Sequence, residues 1–309
     1  MKKKVLITMG DPRGIGPYIT VHSLLAVGPK KAEFTIVGNP ALLSQIKGSA
    51  RLLSQVKVVD PVARRHDLES ESSRAGRLSL QYLREAVRIL RGRKRAALVT
   101  APVSKEAIQS IAPRFSGHTE FLAEAFDVDD FVMFMVGVKL KIAFLTRHVN
   151  IRDVSRSFNF SDAKNTLATL ERSLKTLFKK KKPLIALCSL NPHAGIDTYL
   201  EKEERLLVRA KNSLTSRGGS TFVGPYPCDS LFRQARDGRF DALVVFCHDQ
   251  GMIPFRCFEF SSGVNLTLGL PFIRTSPAHG PAFDLVDTPS QIDCRPMTEA
   301  IQLALKLTK

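Results

Sequence analysis

Short apolar runs alternate with amphipathic stretches along most of the chain, and this alternation is what most limits its fold. The apolar runs have the length and composition of strands, and the stretches between them have helical periodicity. Strands are predicted at 5–9, 34–37, 56–59, 96–100, 131–136, 141–146, 184–190, 242–246 and 264–268, and helices at 19–25, 73–90, 120–125, 161–178, 202–213 and 297–305. Strands and helices in alternation predict an α/β architecture with a largely parallel sheet.

The composition is that of an ordinary globular protein, with 44% hydrophobic and 24% charged residues in 309. No run approaches the roughly 18 apolar residues of a membrane-spanning helix, so no membrane partner is expected. Three lysines precede the first apolar run, but Gly10 and Pro12 end that run too early for a signal peptide. The sequence therefore predicts a cytoplasmic protein.

The formal net charge is +17, which favours anionic partners such as nucleic acid, membrane surfaces or phosphorylated small molecules. The runs 91–95 and 179–182 follow predicted helices, where cations favour the helix dipole and are usually solvated. Neither an aromatic platform nor a nucleic-acid motif accompanies the charge. We therefore expect a small phosphorylated molecule rather than nucleic acid.

The stretch 241–284 has the densest set of side chains that bind ligands. A predicted buried strand runs directly into His248 and Asp249, and Gly251 is read as a turn. Open α/β sheets place their sites at such strand ends. Further polar side chains follow at Arg256, Asn265 and Arg274. Residues of these types suit an anion or a metal as the ligand.

Three of the seven histidines occupy equivalent places in the sequence. His148, His193 and His248 each follow a predicted buried strand. The trailing ends of parallel strands lie along one edge of a sheet, so the imidazoles are predicted to converge on one divalent cation with an open position for substrate. Neutral imidazole suits Zn²⁺, Co²⁺ or Ni²⁺, and Mg²⁺ or Mn²⁺ stays open if the substrate supplies oxygen ligands.

Loops elsewhere offer weaker signals for anion binding. The glycines of residues 9–17 do not match the G-x-G-x-x-G dinucleotide pattern, so the segment is either a structural turn or an anion-binding turn. His118 and Thr119 stand at a predicted helix start, where free N–H groups suit a phosphate. The loop 275–284 contains His279 and Asp284 and is either a structural turn or a loop that holds a planar or ribose-bearing ligand.

These motifs, taken together, resemble the 4-hydroxythreonine-4-phosphate dehydrogenases of pyridoxal phosphate synthesis. The matching segments are 7–12 (ITMGDP), 100–102 (TAP), 117–120 (GHTE), 190–195 (LNPHAG), 224–229 (GPYPCD), 248–251 (HDQG) and 263–277 (GVNLTLGLPFIRTSP). The resemblance implies an isocitrate/isopropylmalate dehydrogenase-like fold, with two α/β/α domains and an active site in the cleft between them. It implies an outer domain of residues 1–125 and 265–309, and a middle domain of 126–264 with dimer and metal-site contributions.

The same resemblance assigns roles to individual residues. It implies one divalent metal per site, Zn²⁺, Mg²⁺, Mn²⁺ or Co²⁺, shared across a homodimer, and NAD as cofactor. By position, the metal ligands are His148, His193 and His248; the substrate contacts are His118, Thr119, Arg256, Asn265 and Arg274; and the cofactor loop contributes His279, Gly280 and Asp284. Asp249, Asp229 and Lys105 are catalytic candidates for positioning or proton transfer.

The implied reaction is oxidation of the secondary alcohol of 4-phosphooxy-L-threonine to a β-keto acid that loses CO₂. The chain departs from the family pattern at Arg256, where Lys is usual, and at Arg13, Tyr18, Ala278 and the segment 196–199. Alternatives are therefore a dehydrogenase of another four-carbon phosphorylated acid, such as threonate or erythronate 4-phosphate, and a degenerate homologue that only binds phosphorylated ligand or nucleic acid.

Overall fold

The structure is a computed structural model that describes residues 2–61, 70–92, 96–195, 201–215 and 221–308. The strands in chain order, β1 to β11, are Lys4–Thr8, Glu33–Val37, Lys57–Val59, Ala96–Thr100, Val132–Val136, Lys141–Phe144, Leu184–Cys188, Thr221–Tyr226, Ala242–Val245, Val264–Leu268 and Ile273–Pro277. The helices, α1 to α12, are Gly16–Val27, Pro40–Ser44, Ser49–Leu53, Glu71–Arg91, Lys105–Gln109, His118–Ala125, Val154–Ser157, Phe160–Thr176, Lys202–Thr215, Cys228–Arg236, His248–Glu259 and Arg295–Leu307. In the described part of the chain, no helix is long and apolar enough to cross a membrane.

The chain divides into two compact units. Unit 1 consists of Met1–Val128 and Leu270–Lys309, and unit 2 is the continuous segment Asp129–Gly269. The predicted outer domain of residues 1–125 and 265–309 and the predicted middle domain of 126–264 stay predictions.

Unit 1 has the strand order β3-β2-β1-β4-β11, and its strands pair in parallel. Its central strand β1 is apolar and fully buried at Val5, Leu6 and Ile7. The strand β11 and the helix α12 come from the far end of the sequence and complete the unit, with the Thr275 hydroxyl donating to the Ala300 carbonyl at 2.8 Å. All carboxyl ends of these strands therefore lie at one edge.

Unit 2 has the order β10-β5-β6-β9-β7-β8. The strand β5 is antiparallel to both of its neighbours, and the pairs β6–β9, β9–β7 and β7–β8 are parallel. The turn between β5 and β6 is held by the buried carboxylate of Glu259, which accepts the backbone N–H groups of Val138, Lys139 and Leu140 at 2.5 to 3.0 Å. The strands after which His148, His193 and His248 follow are thus three parallel neighbours.

The sequence prediction of an α/β fold is confirmed, and every predicted strand and helix is present with small shifts at its ends. The strands β8 and β11, the helices α10 and α11 and the short helices α2, α3, α5 and α7 lie outside the predicted ranges. The prediction of a turn at Gly251 is wrong, because this glycine lies buried inside α11. A Cβ atom there would lie 2.6 Å from Cε1 of Phe144, so the glycine is needed for close packing of the helix on the sheet.

Candidate active site

A buried guanidinium forms the centre of a polar cluster in unit 1. Arg274 on β11 is 3% exposed, and its Nη2 donates to the Thr100 hydroxyl at 2.7 Å while Nη1 donates to the Thr119 hydroxyl at 3.3 Å. Burial lowers the pKa of Arg274 to about 10, against an upward effect of the Glu120 charge, so the side chain is cationic at neutral pH. A buried cation with hydroxyl neighbours is a binding site for a phosphate or carboxylate group.

His118 adds an imidazole to this cluster at the start of α6. Its Nε2 atom is buried and has no hydrogen-bond partner among the described residues. Burial, followed by the charges of Arg274 and Lys105, holds the pKa of His118 well below its usual value. The imidazole is therefore neutral at neutral pH and has one ring nitrogen available to a ligand. Lys105 lies close by, with its Cε 3.3 Å from the position that a Cβ on Gly117 would take.

The predicted cofactor loop follows β11 and packs on the glycine-rich turn of unit 1. Ile15 donates its backbone N–H to the Pro281 carbonyl at 2.9 Å. His279 Nδ1 lies 2.9 Å from the Gly280 carbonyl, and its Nε2 is buried without a partner in the described part of the chain. Gly280 and Asp284 are exposed, and a Cβ on Gly280 would meet none of the described residues within 4 Å. The loop thus combines open space at Gly280 with a buried ring nitrogen that has no partner among the described residues.

The glycine-rich turn itself uses its backbone amides within the protein. Asp11 donates to the Pro102 carbonyl, Gly14 donates to the Asp11 carbonyl, and the Arg13 amide donates to the Asp11 carboxylate at 2.9 Å. A Cβ on Gly10 would lie 2.2 Å from the Pro102 carbonyl oxygen. The structural interpretation of this turn is therefore favoured over the anion-binding one.

The three predicted metal ligands lie in unit 2 after the neighbouring parallel strands β6, β9 and β7. The rings of His148 and His248 are 5.8 Å apart between centroids, and His248 Nδ1 lies 2.7 Å from Asp249 Oδ1. His193 lies in a short 3₁₀ segment with φ of 58°. The structure brings two of the three imidazoles together.

Within the described ranges, no group of three His, Cys, Asp or Glu side chains is arranged to hold a metal ion. The donor types nevertheless suit a divalent metal, because the His148 and His248 rings lie 5.8 Å apart after neighbouring strands and a carboxylate lies on one ring nitrogen, as is usual for metal-binding histidines.

The other predicted residues of unit 2 are less tightly grouped. Asn265 on β10 has a buried Oδ1 without a partner in the described part of the chain, which is the expected state of a group that binds a ligand. Arg256 is exposed on α11. Asp229 is exposed in the first turn of α10, where its Oδ1 accepts the Ser230 amide at 2.8 Å. Neither position identifies a general base.

The sequence model of the family described as "Pyridoxal phosphate biosynthetic protein PdxA" matches residues 9–304. The chain belongs to the PdxA family. A 4-hydroxythreonine-4-phosphate dehydrogenase from Desulfosudis oleivorans is 34% identical, over 97% of this chain and 94% of its own. A D-threonate 4-phosphate dehydrogenase from Salmonella typhimurium is also 34% identical, over 99% of both chains. The family resemblance is confirmed.

Solved structures agree with this membership. A PdxA-family crystal structure, a 4-hydroxythreonine-4-phosphate dehydrogenase from Klebsiella pneumoniae, superimposes with a TM-score of 0.83 at 30% identity and covers all of both chains. Isocitrate dehydrogenase from Methylococcus capsulatus is 10% identical with a TM-score of 0.53, covering 98% of this chain and 85% of its own, which is a likeness of fold. The predicted fold class is confirmed.

The departures from the PdxA pattern have clear structural settings where they are described. The Arg13 guanidinium pairs with the buried carboxylate of Asp11 at 3.2 Å and lies 5.1 Å from the ring centroid of Phe283. Tyr18 packs on His22 with ring centroids 4.2 Å apart. The departure at 196–199 lies outside the described residues. Arg13 thus joins the glycine-rich turn to the cofactor loop.

Sequence reasoning assigned no role to three residues that support these groups: Thr100, Glu204 and Gln250. Thr100 lies in the quoted Thr-Ala-Pro motif, and Gln250 lies in His-Asp-Gln-Gly, so both motifs carried a signal. Glu204 belongs to the charged stretch 201–205, which is typical of an exposed helix face, yet it is fully buried. Only its contacts distinguish it from its neighbours.

Proposed function

We propose that this protein is an NAD-dependent and divalent-metal-dependent dehydrogenase in pyridoxal 5'-phosphate biosynthesis. It oxidises 4-phosphooxy-L-threonine to a β-keto acid that decarboxylates to 3-amino-2-oxopropyl phosphate. The observation that carries the proposal is the buried Arg274, held by Thr100 and Thr119 beside a neutral His118, in a chain of the PdxA family. We also propose that the protein is cytoplasmic and forms a homodimer.

The substrate is an anion, and the residues of the Arg274 cluster bind and orient it. The guanidinium donates charge-assisted hydrogen bonds to its phosphate or carboxylate oxygens, and the two threonine hydroxyls fix the plane of the guanidinium. His118 offers its buried Nε2 to an oxygen of the same ligand. Binding at several points holds the reacting carbon in one orientation.

The metal would be held by His148, His193 and His248, with Asp249 orienting the His248 ring. When bound, the metal would supply a fixed positive charge at the reacting hydroxyl group, and the nicotinamide cofactor held by the loop of His279, Gly280 and Asp284 would supply the oxidising power.

Proton transfer is assigned to the side chain whose position supports it. Lys105 lies beside His118 and Gly117, so its ammonium group is within the anion-binding cluster and can carry a proton to or from the substrate. The carboxylate of Asp249 is already bonded to the His248 ring. Asp229 stays the alternative base of this scheme.

A second candidate substrate is D-threonate 4-phosphate. It is favoured by the Salmonella typhimurium relative, which has the same 34% identity as the 4-hydroxythreonine-4-phosphate dehydrogenase from Desulfosudis oleivorans. Both substrates carry a phosphate, a carboxylate and a secondary alcohol, so the Arg274 cluster suits either. 4-Phosphooxy-L-threonine has an amino group where D-threonate 4-phosphate has a hydroxyl group. Residues around Arg256 and Asn265 would distinguish the two groups.

The test is turnover with purified protein, NAD or NADP, and Zn²⁺, Mg²⁺, Mn²⁺ or Co²⁺. Each candidate acid is offered in turn, and formation of reduced cofactor is followed by absorbance. We expect reduction with 4-phosphooxy-L-threonine and release of CO₂. Faster turnover with D-threonate 4-phosphate would establish the second candidate. No reduction with any acid, while a PdxA-family control enzyme works, would reject the enzyme assignment.

The proposed metal ligands can be tested without turnover. His148→Ala, His193→Ala and His248→Ala are each expected to weaken Co²⁺ binding by more than roughly 100-fold, which is the upper range for loss of an outer-shell partner. His22→Ala, on α1 beside Tyr18, is the matched control and should bind like the wild type. Wild-type affinity in any of the three variants would remove that histidine from the site.

A further inference from the structure

One glutamine side chain joins the two strand ends that lead to His193 and His248. Gln250 lies in the first turn of α11, and its Oε1 accepts the backbone N–H of Phe246 at 2.8 Å. Its Nε2 donates to the backbone carbonyl of Ser189 at 2.7 Å. Phe246 directly follows β9, and Ser189 directly follows β7. A single amide group therefore sets the spacing between the two loops that begin there.

A buried carboxylate fixes the next part of the loop after β7. Glu204 on α9 is fully buried, and its Oε1 accepts the backbone N–H groups of Leu190 and Asn191, both at 2.9 Å. Its Oε2 accepts the side-chain amide of Asn191 at 3.0 Å. The Ser189 hydroxyl donates to the Asn191 carbonyl at 2.8 Å. The backbone that leads to His193 is thus bonded at successive residues.

The segment that these bonds support is conformationally strained. His193 and Ala194 have φ of 58° and 53°, in the left-handed region that side chains other than glycine rarely adopt. Residues in this conformation persist where several independent contacts with the surrounding structure hold them in place, and they cluster at functional sites. The bonds of Glu204 and Gln250, with the burial of Ala194 at 5% exposure, supply that support.

We propose that Gln250 and Glu204 are positioning residues that fix the backbone of the loops carrying His193 and His248, so that each of these side chains is held ready to bind the divalent metal. This inference rests on the metal site of the proposed function. Metal-binding side chains generally depend on hydrogen bonds outside the ligand set, and loss of such a bond typically weakens metal binding about 10- to 100-fold. Here the bonds act through the backbone of the two loops.

The decisive variant is Gln250→Glu. It keeps an oxygen that accepts the Phe246 N–H, but it replaces the donor to Ser189 by a second oxygen that faces a carbonyl. The link to the His193 loop is lost while the link to the His248 loop remains. Gln234→Glu is the matched control, because Gln234 lies on α10 of the same unit and accepts a hydrogen bond only from Arg239 in the described residues.

The measurement is Co²⁺ affinity by titration, with the visible absorption of bound Co²⁺ as a second readout and thermal unfolding of the metal-free proteins alongside. We expect Gln250→Glu to bind Co²⁺ about tenfold or more weakly, with an altered spectrum and a thermal midpoint near that of wild type. Gln234→Glu should stay within about twofold of wild type. Glu204→Gln should also weaken binding, because its amide nitrogen would face the Asn191 amide donor.

Co²⁺ affinity of Gln250→Glu within about twofold of wild type would overturn the inference and leave the proposed metal site standing. If Gln250→Glu does not fold, Gln250→Met, which adds no charge, is measured by the same criterion. Failure of the wild-type protein to bind Co²⁺ would instead overturn the metal site of the proposed function, and the inference with it.

Discussion

His118 links the candidate site to the pH dependence of stability. Its pKa lies well below the ordinary 6.5 because the ring is buried beside Arg274 and Lys105. As pH falls below 6.5, the unfolded chain takes up a proton at this ring and the folded chain does not. The free energy of unfolding therefore decreases with falling pH until the lowered pKa is reached.

We predict that His118→Gln removes this part of the acid sensitivity, which amounts to at most roughly 1.4 kcal/mol for each pH unit. Urea unfolding of wild type and variant at pH 6.5, and at about one unit below it, measures the difference. Equal losses of unfolding free energy in both proteins would show that His118 is protonated in the folded state as readily as in the unfolded chain.

Substitution of Arg274 tests whether the cluster of Arg274, Thr100, Thr119 and His118 in unit 1 binds the anion. Arg274→Lys keeps a positive charge but cannot donate to Thr100 and Thr119 in the planar arrangement of a guanidinium. We predict that kcat/KM falls at least about 100-fold, or roughly 2.7 kcal/mol. Arg256→Lys is the comparison, because Arg256 is exposed, and its effect should be below about tenfold. Similar losses in both variants would contradict a special role for Arg274.

At the scale of elements, the packing of helix α11 on the sheet depends on Gly251, a residue at which the sequence predicted a turn. A Cβ at position 251 would lie 2.6 Å from the Phe144 ring and 2.9 Å from Val245 Cγ2. We predict that Gly251→Ala destabilises the protein by about 1–3 kcal/mol, as expected for overpacking. The urea midpoint measures the effect. Gly92→Ala is the control, because among the described residues a Cβ there would meet only the Ile89 carbonyl, at 3.8 Å. An unchanged urea midpoint for Gly251→Ala would mean that α11 lies further from the sheet.

Sequence patterns predicted those elements whose buried residues are apolar. The strands β1, β4 and β10 were found because hydrophobic runs mark them directly. The strand β11 was missed because its buried positions include Arg274, Thr275 and Ser276, and a buried polar run has no hydrophobic signature. The helix α11 was missed because Gly251 and Pro254 interrupt its pattern.

The candidate site likewise contains residues that a sequence pattern indicates and contacts that only the structure shows. The histidines of unit 2 could be proposed as metal ligands because residue type and strand position can be read from a sequence, and this assignment stays a prediction. The bond from Gln250 to Ser189 joins residues 61 apart, and the burial of Glu204 depends on packing of α9, so neither was available to sequence reasoning. The family motifs suggested substrate contacts for Arg274 and Asn265, which the sequence alone placed only among the ligand-binding side chains of the stretch 241–284.

For the whole molecule, the proposed homodimer makes a direct prediction. The proposed metal is shared between two chains, so activity should require association. We expect light scattering to give twice the 34.2 kDa chain mass, and specific activity to fall upon dilution as dimers dissociate. Full activity at monomer mass would contradict a shared site.

The net charge of +17 predicts how the whole protein responds to salt. A cationic protein attracts a phosphorylated substrate over long range, and salt screens that attraction. We expect KM for the anionic substrate to rise several-fold between low and physiological ionic strength while kcat changes little. A KM independent of salt would show that only the local charges of the Arg274 cluster matter.

The discontinuity of unit 1 affects how the chain folds during synthesis. The strand β4 lacks its partner β11 until Ile273–Pro277 has left the ribosome, and α1 lacks its packing partner α12 for longer. The nascent protein therefore carries an open strand edge and an uncovered apolar helix while all of Asp129–Gly269 is being translated. Exposed edges of this kind are where chains aggregate and where chaperones bind. Unit 2 is continuous in sequence and can complete its own sheet before unit 1 does.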